Sequence, residues 1–289
     1  MLAVCENRRR TSRMPFTIES MNSTLPDVFS RTRLMALEGG CNFRDIGGYR
    51  AADGRTVKWG QVYRAGVLTY FTTADHGPLQ QLGVRAICDL RREEERHREP
   101  GRWPDSATQA LFWKDDEHMP TVRGFAAKRP NTAAGMREAM IDLYRALPAW
   151  MAPRLRGLFE CVATGKVPVV VHCAAGKDRT GVAIAVLLRA LGVETATVVE
   201  DYLLTNEAGN FETFIQTHSD SHLGLADAHR PLLSMPKEMR TALFAADADY
   251  LQAAHHQIDT VHGGIDAYLR NVLGLSDDTI EKTRQALLN

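Results

Sequence analysis

Two apolar runs that enclose a short polar turn dominate the hydrophobic pattern of this chain. Residues 167–171 and 182–188 are apolar, and residues 172–181 form the turn between them. Continuous apolar runs of this length are typical of a strand and a helix that are buried on all sides. We therefore predict a buried strand, a tight turn and a helix that runs from Arg179 to about Leu191.

The rest of the pattern predicts a β-rich first half and an α-rich second half. Extended segments are expected at residues 47–66 (a hairpin), 84–88 and 110–113. Helices are expected at residues 74–82, 135–145, 150–163, 236–246, 248–261, 264–273 and 277–288, with Pro148 breaking the second from the third. This order indicates an α/β fold in which helices flank a central, mostly parallel sheet, with a helical C-terminal elaboration.

The turn carries the residues of an anion-binding site. Cys173 and Arg179 stand six positions apart, at the point where the strand ends and the helix begins. Backbone N–H groups of Ala174, Ala175 and Gly176 can converge there on an oxyanion at the helix N-terminus. The same field favours a thiolate at Cys173, and the guanidinium of Arg179 can bind two phosphate oxygens at once. Such a site is suited to nucleophilic attack on phosphorus.

Four other residues of the turn have predicted roles. Asp178 could protonate the leaving oxygen and later activate water, and Thr180 could donate a hydrogen bond to the cysteine sulfur. His172 is predicted to support the loop through its ring nitrogens. Lys177 adds positive charge at the rim of the site and should favour highly charged substrates.

The sequence His172-Cys173, five residues and then Arg179-Thr180-Gly181 resembles the signature of the cysteine-dependent protein tyrosine phosphatases. Its Gly-Lys-Asp-Arg form is similar to that of the atypical bacterial tyrosine and phosphoinositide phosphatases. Further similarities lie at residues 40–49, 60–65, 88–91 and 201–206. The resemblance implies a tyrosine phosphatase-like fold over residues 31–289, a phosphocysteine intermediate, and no metal or other cofactor. It also implies that the helical residues 198–245 cover the site like a lid.

Substrate class stays open between two alternatives. The resemblance puts phosphotyrosine proteins first, and phosphoinositides or phosphoserine and phosphothreonine second. Lys177 could engage extra phosphates of an inositol ring, whereas Ala174 and Ala175 are uncharged. The resemblance also makes Arg44 a candidate phosphate-binding residue, although an ion pair with Asp45 is the commoner arrangement.

Several carboxylates compete for the remaining roles. Asp89 ends a strand, where α/β sheets place ligands, yet it could equally pair with Arg91 or Arg92. Residues 103–105 spell Trp-Pro-Asp, as in the acid loop of the classical tyrosine phosphatases, but they lie far upstream of Cys173 and are predicted to form a turn. Asp115 and Asp116 are therefore the reserve general acids behind Asp178.

Composition restricts the partners and the compartment. The formal net charge is zero over 289 residues, which argues against nonspecific nucleic-acid binding. No apolar run approaches the ~20 residues that span a membrane. The five cysteines show neither a metal spacing nor a disulfide framework. We expect a disordered arm at residues 1–30 and a cytoplasmic protein, or one exported without the usual signal peptide. The sequence does not predict the oligomeric state.

The cysteines and the loop also allow an oxidation hypothesis and two rival functions. Cys88 or Cys161 could form a disulfide with Cys173 under oxidation, although buried structural thiols are the commoner interpretation. A sulfurtransferase also uses a strand-end cysteine in an anion loop, but it has little use for Arg179-Thr180-Gly181 at the start of the helix. A non-catalytic phosphate-binding module is a third hypothesis, and such proteins usually lack the cysteine, the acid or the arginine.

Overall fold

The computed structural model describes residues 33–114, 120–209, 211–218 and 232–289. The predicted arm at residues 1–30 and the reserve acids Asp115 and Asp116 lie outside these residues. Within them, the chain folds around one five-stranded sheet. Its strands are β1 (Arg44–Asp45), β2 (Val62–Ala65), β3 (Ala86–Asp89), β4 (Gln109–Leu111) and β5 (Val169–His172).

The sheet is parallel except at one edge. Its strand order is β1-β2-β5-β3-β4, and only the β1–β2 pair is antiparallel. In β5 the side chains alternate between the two faces: Val169 and Val171 join the larger apolar core, and Val170 joins a smaller core with Leu79. The strand before the turn is thus central and buried on both faces, which confirms the predicted fold class.

Helices on both sides of the sheet supply the rest of the core. In chain order they are α1 (Thr73–Gln81), α2 (Glu93–Arg98), α3 (Val122–Ala126), α4 (Ala133–Trp150), α5 (Ala152–Ala163), α6 (Asp178–Ala190), α7 (Thr195–Leu203), α8 (Thr205–Ala208) and α9 (Phe211–His218). The larger core is built mainly by α4, α5 and α6, whose apolar residues recur at helical spacing.

One helix boundary differs from its prediction. Pro148 lies inside α4, and the chain breaks instead at Met151, between α4 and α5. The new helix begins with a proline in its first turn, where the missing N–H costs no hydrogen bond. The break is therefore explained by Pro153 rather than by Pro148.

The C-terminal elaboration is helical, as predicted. It contains α10 (Lys237–Phe244), α11 (Ala248–His256), α12 (Ile265–Ala267) and α13 (Asp277–Leu287), with wider π-helical turns at Gln257–Val261 and Tyr268–Val272. The buried side chains of α11 and α13 complete the larger core. Of the described helices, none has both the length and the apolar character that crossing a bilayer requires.

Candidate active site

The turn after β5 opens at the carboxyl edge of the sheet. Cys173 follows β5 directly and is only 1% exposed, and Asp178 is the first residue of α6. The residue before the cysteine, His172, lies beside Ala65 of β2 and Asp89 of β3. The ends of three neighbouring strands therefore surround the loop, which is where α/β sheets place their ligand sites.

The loop is packed closely against the end of β2. Gly176 has a φ of +67°. A Cβ at this position would lie 2.6 Å from the carbonyl oxygen of Ala65. Both observations require glycine at this position. On the same side, the carbonyl of Ala174 accepts a hydrogen bond of 2.8 Å from the N–H of Val67.

Two side chains hold the carbonyl of Gly176 from behind. Arg64 donates to it at 2.9 Å and Asn42 at 2.8 Å. In a trans peptide, the N–H points opposite to the carbonyl of the preceding residue. The N–H groups of Ala175 and Lys177 are therefore turned toward the inside of the loop, where an oxyanion can bind. Asn42 itself has a φ of +56°, a conformation rare outside glycine, so this support carries local backbone strain.

A buried ion network of Arg44, Arg64 and Asp201, which we call the wall, lies behind the loop. Its contacts correct the prediction for Arg44. Asp201 of α7 accepts from Arg64 at 2.6 Å and lies 3.5 Å from the Nε of Arg44. Burial raises the pKa of Asp201, but Arg44 and Arg64 outweigh it and the net pKa is lowered. Arg44 is 0% exposed and also contacts Thr205. It supports the loop from behind and cannot reach a phosphate there.

Asp89 contacts Arg91 and His172. It binds the guanidinium of Arg91 with both oxygens, at 2.9 Å and 2.7 Å. Its Oδ2 lies 3.5 Å from the Nε2 of His172, whose Nδ1 faces the carbonyl of Cys173 at 3.3 Å. The pairing alternative is present in the structure, where Asp89 binds Arg91, and its role in substrate binding stays a prediction. His172 has the contacts that its predicted supporting role requires.

Arg179 is held by a partner that the sequence did not indicate. Glu95 of α2 binds it with both oxygens, at 2.6 Å and 2.8 Å. Burial opposes the ionised form of each group, yet each partner outweighs burial, so the pKa of Glu95 is lowered and that of Arg179 is raised. A bidentate pair fixes the plane of the guanidinium, which lies near enough to Cys173 for their charges to interact. The only sequence signal was an acidic cluster, Glu93–Glu95, in the first turn of a helix.

Lys177 does not lie at the rim. Its side chain is buried, and its ammonium group donates to the backbone carbonyls of Leu243 and Ala245. It also lies 3.4 Å from Oδ1 of Asp178. The prediction that Lys177 favours highly charged substrates is therefore corrected: its charge faces the C-terminal elaboration.

The remaining loop residues are placed as follows. The side chain of Asp178 is one quarter exposed and accepts a hydrogen bond of 2.9 Å from Tyr144. Thr180 is fully buried and has no hydrogen-bond partner among the described residues, so the predicted donation to the cysteine sulfur is not formed.

Burial, and to a smaller extent the neighbouring Cys173, raise the pKa of the Cys41 thiol to about 12. Cys41 is thus a neutral neighbour of the nucleophile that the sequence did not reveal.

Cys88 and Cys161 contact each other. A hydrogen bond between the two thiols, together with burial, raises the pKa of Cys88, and the same bond lowers the pKa of Cys161. The favoured interpretation as buried structural thiols agrees with this placement. A disulfide between either residue and Cys173 is not favoured by it.

A cavity of about 190 Å³ opens beside the loop. Asp178 and Arg179 contribute to its lining, and its apolar lining residues include Val122, Leu143 and Trp150. A cavity with apolar side chains on one part of its lining, next to the phosphate-binding arginine, can take an uncharged leaving group. Asp105 instead lies in an exposed turn and caps the N–H of Ala107, as its turn prediction requires.

Comparison with known proteins decides the family. The model of the tyrosine phosphatase family matches residues 35–289. The chain belongs to that family. It is a protein tyrosine phosphatase, and therefore a phosphate monoester hydrolase, which confirms the resemblance and the enzyme class predicted from the loop.

Three curated relatives agree with this assignment. The triple specificity protein phosphatase PtpB of Mycobacterium tuberculosis is 29% identical over 87% of this chain and 98% of its own length. A Cupriavidus necator protein named as a tyrosine-protein phosphatase is 32% identical over 80% of this chain and 81% of its own. A tyrosine-protein phosphatase of Nostoc commune is 26% identical over 78% of this chain and 73% of its own.

Proposed function

We propose that the protein hydrolyses phosphotyrosine in two steps at the loop between β5 and α6. Cys173 attacks phosphorus and forms a phosphocysteine, and the phenolic oxygen leaves. Water then attacks the phosphocysteine, which releases phosphate and the thiolate. The observation that carries this proposal is the placement of Cys173 and Arg179 at the two ends of one loop, with Arg179 oriented by Glu95.

The remaining roles follow from the contacts around the loop. The guanidinium of Arg179 and the inward N–H groups of Ala175 and Lys177 bind the phosphoryl oxygens, whose charge grows in the transition state. Asp178 protonates the leaving oxygen and then accepts a proton from water. It is the described carboxylate that lines the cavity without a bidentate arginine partner, since Glu95 is committed to Arg179.

Phosphotyrosine is proposed ahead of phosphoinositides as the substrate. The apolar side chains of Val122, Leu143 and Trp150 in the cavity beside Asp178 suit an aromatic ring. The argument for an inositol polyphosphate rested on Lys177, and that charge is turned toward Leu243 and Ala245. One relative is named a triple specificity phosphatase, which supports including phosphoserine and phosphothreonine among the substrates to be tested. The requirement for a free thiol at Cys173 supports a reducing compartment such as the cytoplasm.

The test is phosphate release by the wild-type protein and by Cys173→Ser, in EDTA. The substrates are p-nitrophenyl phosphate, phosphotyrosine, phosphoserine and phosphothreonine peptides, and mono- and polyphosphorylated phosphoinositides. We expect release from phosphotyrosine that vanadate inhibits and that Cys173→Ser abolishes. Cys88→Ser, which changes a buried thiol that contacts Cys161, is the matched control and should remain active. Loss of wild-type turnover in EDTA, or release by Cys173→Ser, would contradict the proposal.

A further inference from the structure

Two buried tyrosines connect Asp178 to the C-terminal elaboration. The hydroxyl of Tyr144, on α4, lies 2.9 Å from Oδ1 of Asp178 and 2.6 Å from the hydroxyl of Tyr202, on α7. Both tyrosine side chains are essentially inaccessible to solvent. The hydroxyl of Tyr202 in turn accepts a hydrogen bond from the backbone N–H of Asp247, which precedes α11.

The hydrogen bonds that link Asp247, Tyr202, Tyr144 and Asp178 all run in one direction. A tyrosine hydroxyl has a single hydrogen to donate, and the N–H of Asp247 can only donate. Tyr202 therefore accepts from Asp247 and donates to Tyr144, and Tyr144 donates to the carboxylate of Asp178. Burial and the Asp178 charge raise the pKa of both tyrosines well above the ordinary range, so both stay protonated and remain donors.

We propose that Tyr144, with Tyr202 behind it, is a positioning residue that aims the carboxyl group of Asp178 at the leaving oxygen. The inference rests on the proposed function, because it assumes that Asp178 is the general acid. Tyr144 and Lys177 both contact Oδ1. Oδ2 is then the oxygen that exchanges a proton with the substrate and with water.

The hydrogen bond from Tyr144 restricts the conformations of the Asp178 side chain. Asp178 stands at the first position of α6 and is partly exposed, so its side chain would otherwise sample several rotamers. A hydrogen bond from a buried, rigid tyrosine selects one of them before the substrate arrives. A hydroxyl donor is suited to both steps, because Oδ1 can accept its hydrogen bond whether or not Oδ2 carries a proton.

The test compares two substrates that differ in their need for an acid. Phenyl phosphate has a more basic leaving oxygen than p-nitrophenyl phosphate, so its hydrolysis depends more strongly on proton donation. In Tyr144→Phe the ring stays and only the hydroxyl is lost. We expect kcat/KM for phenyl phosphate, which reports the steps up to phosphocysteine formation, to fall about 10-fold or more, since general acids contribute roughly 10²–10⁴-fold. For p-nitrophenyl phosphate, kcat/KM should change much less.

Tyr268→Phe is the matched control. Tyr268 is equally buried, and its hydroxyl donates to the carbonyl of Pro148, outside the loop. It should lower kcat/KM for the two substrates by the same small factor or not at all. If Tyr144→Phe proves unstable, Tyr202→Phe keeps the Tyr144–Asp178 bond and should give a weaker effect with the same dependence on the leaving group.

Asp178→Asn separates this inference from the proposed function. If Asp178→Asn retains full activity on phenyl phosphate, the acid assignment itself is wrong. If Asp178→Asn is impaired but Tyr144→Phe lowers kcat/KM equally for both substrates, Asp178 is the acid and the positioning role in leaving-group protonation is refuted. In the double variant, Tyr144→Phe should cause little further loss; a second full loss would show that Tyr144 acts independently of Asp178.

Discussion

The wall behind the phosphate loop and the C-terminal elaboration are both buried, but different interactions hold them. In the wall, Arg44, Arg64 and Asp201 are charged groups with almost no exposure, and they are paired with one another. In the C-terminal elaboration, buried polar side chains bind backbone carbonyls instead: Tyr250 donates to Ala242 and Thr283 donates to Thr279. The ion pairs of the wall fix the orientation of polar groups at the loop, whereas the C-terminal elaboration buries apolar side chains.

This difference bears on catalysis because ion pairs and bidentate bonds set orientation at a cost in desolvation, whereas apolar packing does not set the aim of a polar group. The site needs orientation at the carbonyl of Gly176 and at the guanidinium of Arg179, and charged partners hold both. The C-terminal elaboration reaches the loop through the segment at residues 243–247, which binds Lys177 and Tyr202.

Removal of Asp201 should have the largest effect on stability. Asp201→Asn leaves Arg44 and Arg64 buried without their carboxylate, and breaking a buried pair in this way costs about 3–5 kcal/mol. Urea unfolding of the purified variant measures the loss. Asp53→Asn is the control, because its partner Arg55 is exposed and no measurable change is expected. Equal stability of the Asp201 variant and the wild type would show that the wall is not held by charge.

The buried His255 should make the C-terminal elaboration sensitive to acid. Burial, then Arg189, lowers its pKa from 6.5 to about 4, with Asp259 acting in the opposite direction. Neither ring nitrogen has a hydrogen-bond partner among the described residues. The unfolded chain binds a proton below about pH 6.5 and the folded chain does not, so stability falls as the pH drops from there and levels off below the folded pKa.

His255→Leu removes this dependence. Between pH 7.5 and 4, roughly, the wild type should lose about 3 kcal/mol more stability than the variant, which corresponds to the pKa difference. Unfolding curves of the two proteins at each pH give the difference directly, and other titrating groups cancel. Parallel losses in the two proteins would mean that His255 is protonated in the folded state.

Glu95→Gln tests how the guanidinium of Arg179 is oriented without removing a side chain. The amide keeps the shape but loses the charge-assisted bidentate bond to Arg179. Misalignment of a binding group can cost about 10²-fold, and we expect kcat/KM to fall toward that extent. Because the pKa of Glu95 is depressed, the wild-type pair persists at any pH above its unfolded value of roughly 4.3, so the ratio of the two enzymes should be constant from about pH 5 to 8. If kcat/KM of the wild type and of Glu95→Gln were nearly equal, the loop alone would orient Arg179.

The sequence predicted local features of the site better than distant ones. The strand, turn and helix around Cys173 were predicted because periodicity and the loop signature lie within one short segment. Glu95 could not be assigned to Arg179, since the pair joins residues 84 positions apart and depends on how α2 meets the loop. Lys177 was misplaced for the same reason: its partners, Leu243 and Ala245, are backbone carbonyls of a distant segment, and carbonyls leave no mark in a sequence.

The smallest effect is expected where a hydroxyl is lost from the C-terminal elaboration. Thr283 is buried on α13, and its hydroxyl bonds to the Thr279 carbonyl, which is one turn back on the same helix. Thr283→Val keeps the shape, and loss of this bond should cost no more than about 1 kcal/mol. Leu287→Ala, on the same helix and also fully buried, should cost about 2–5 kcal/mol, because it leaves a cavity. If the hydroxyl matters more than the methyl groups in urea unfolding, polar bonding rather than apolar burial stabilises this region, and the contrast with the wall disappears.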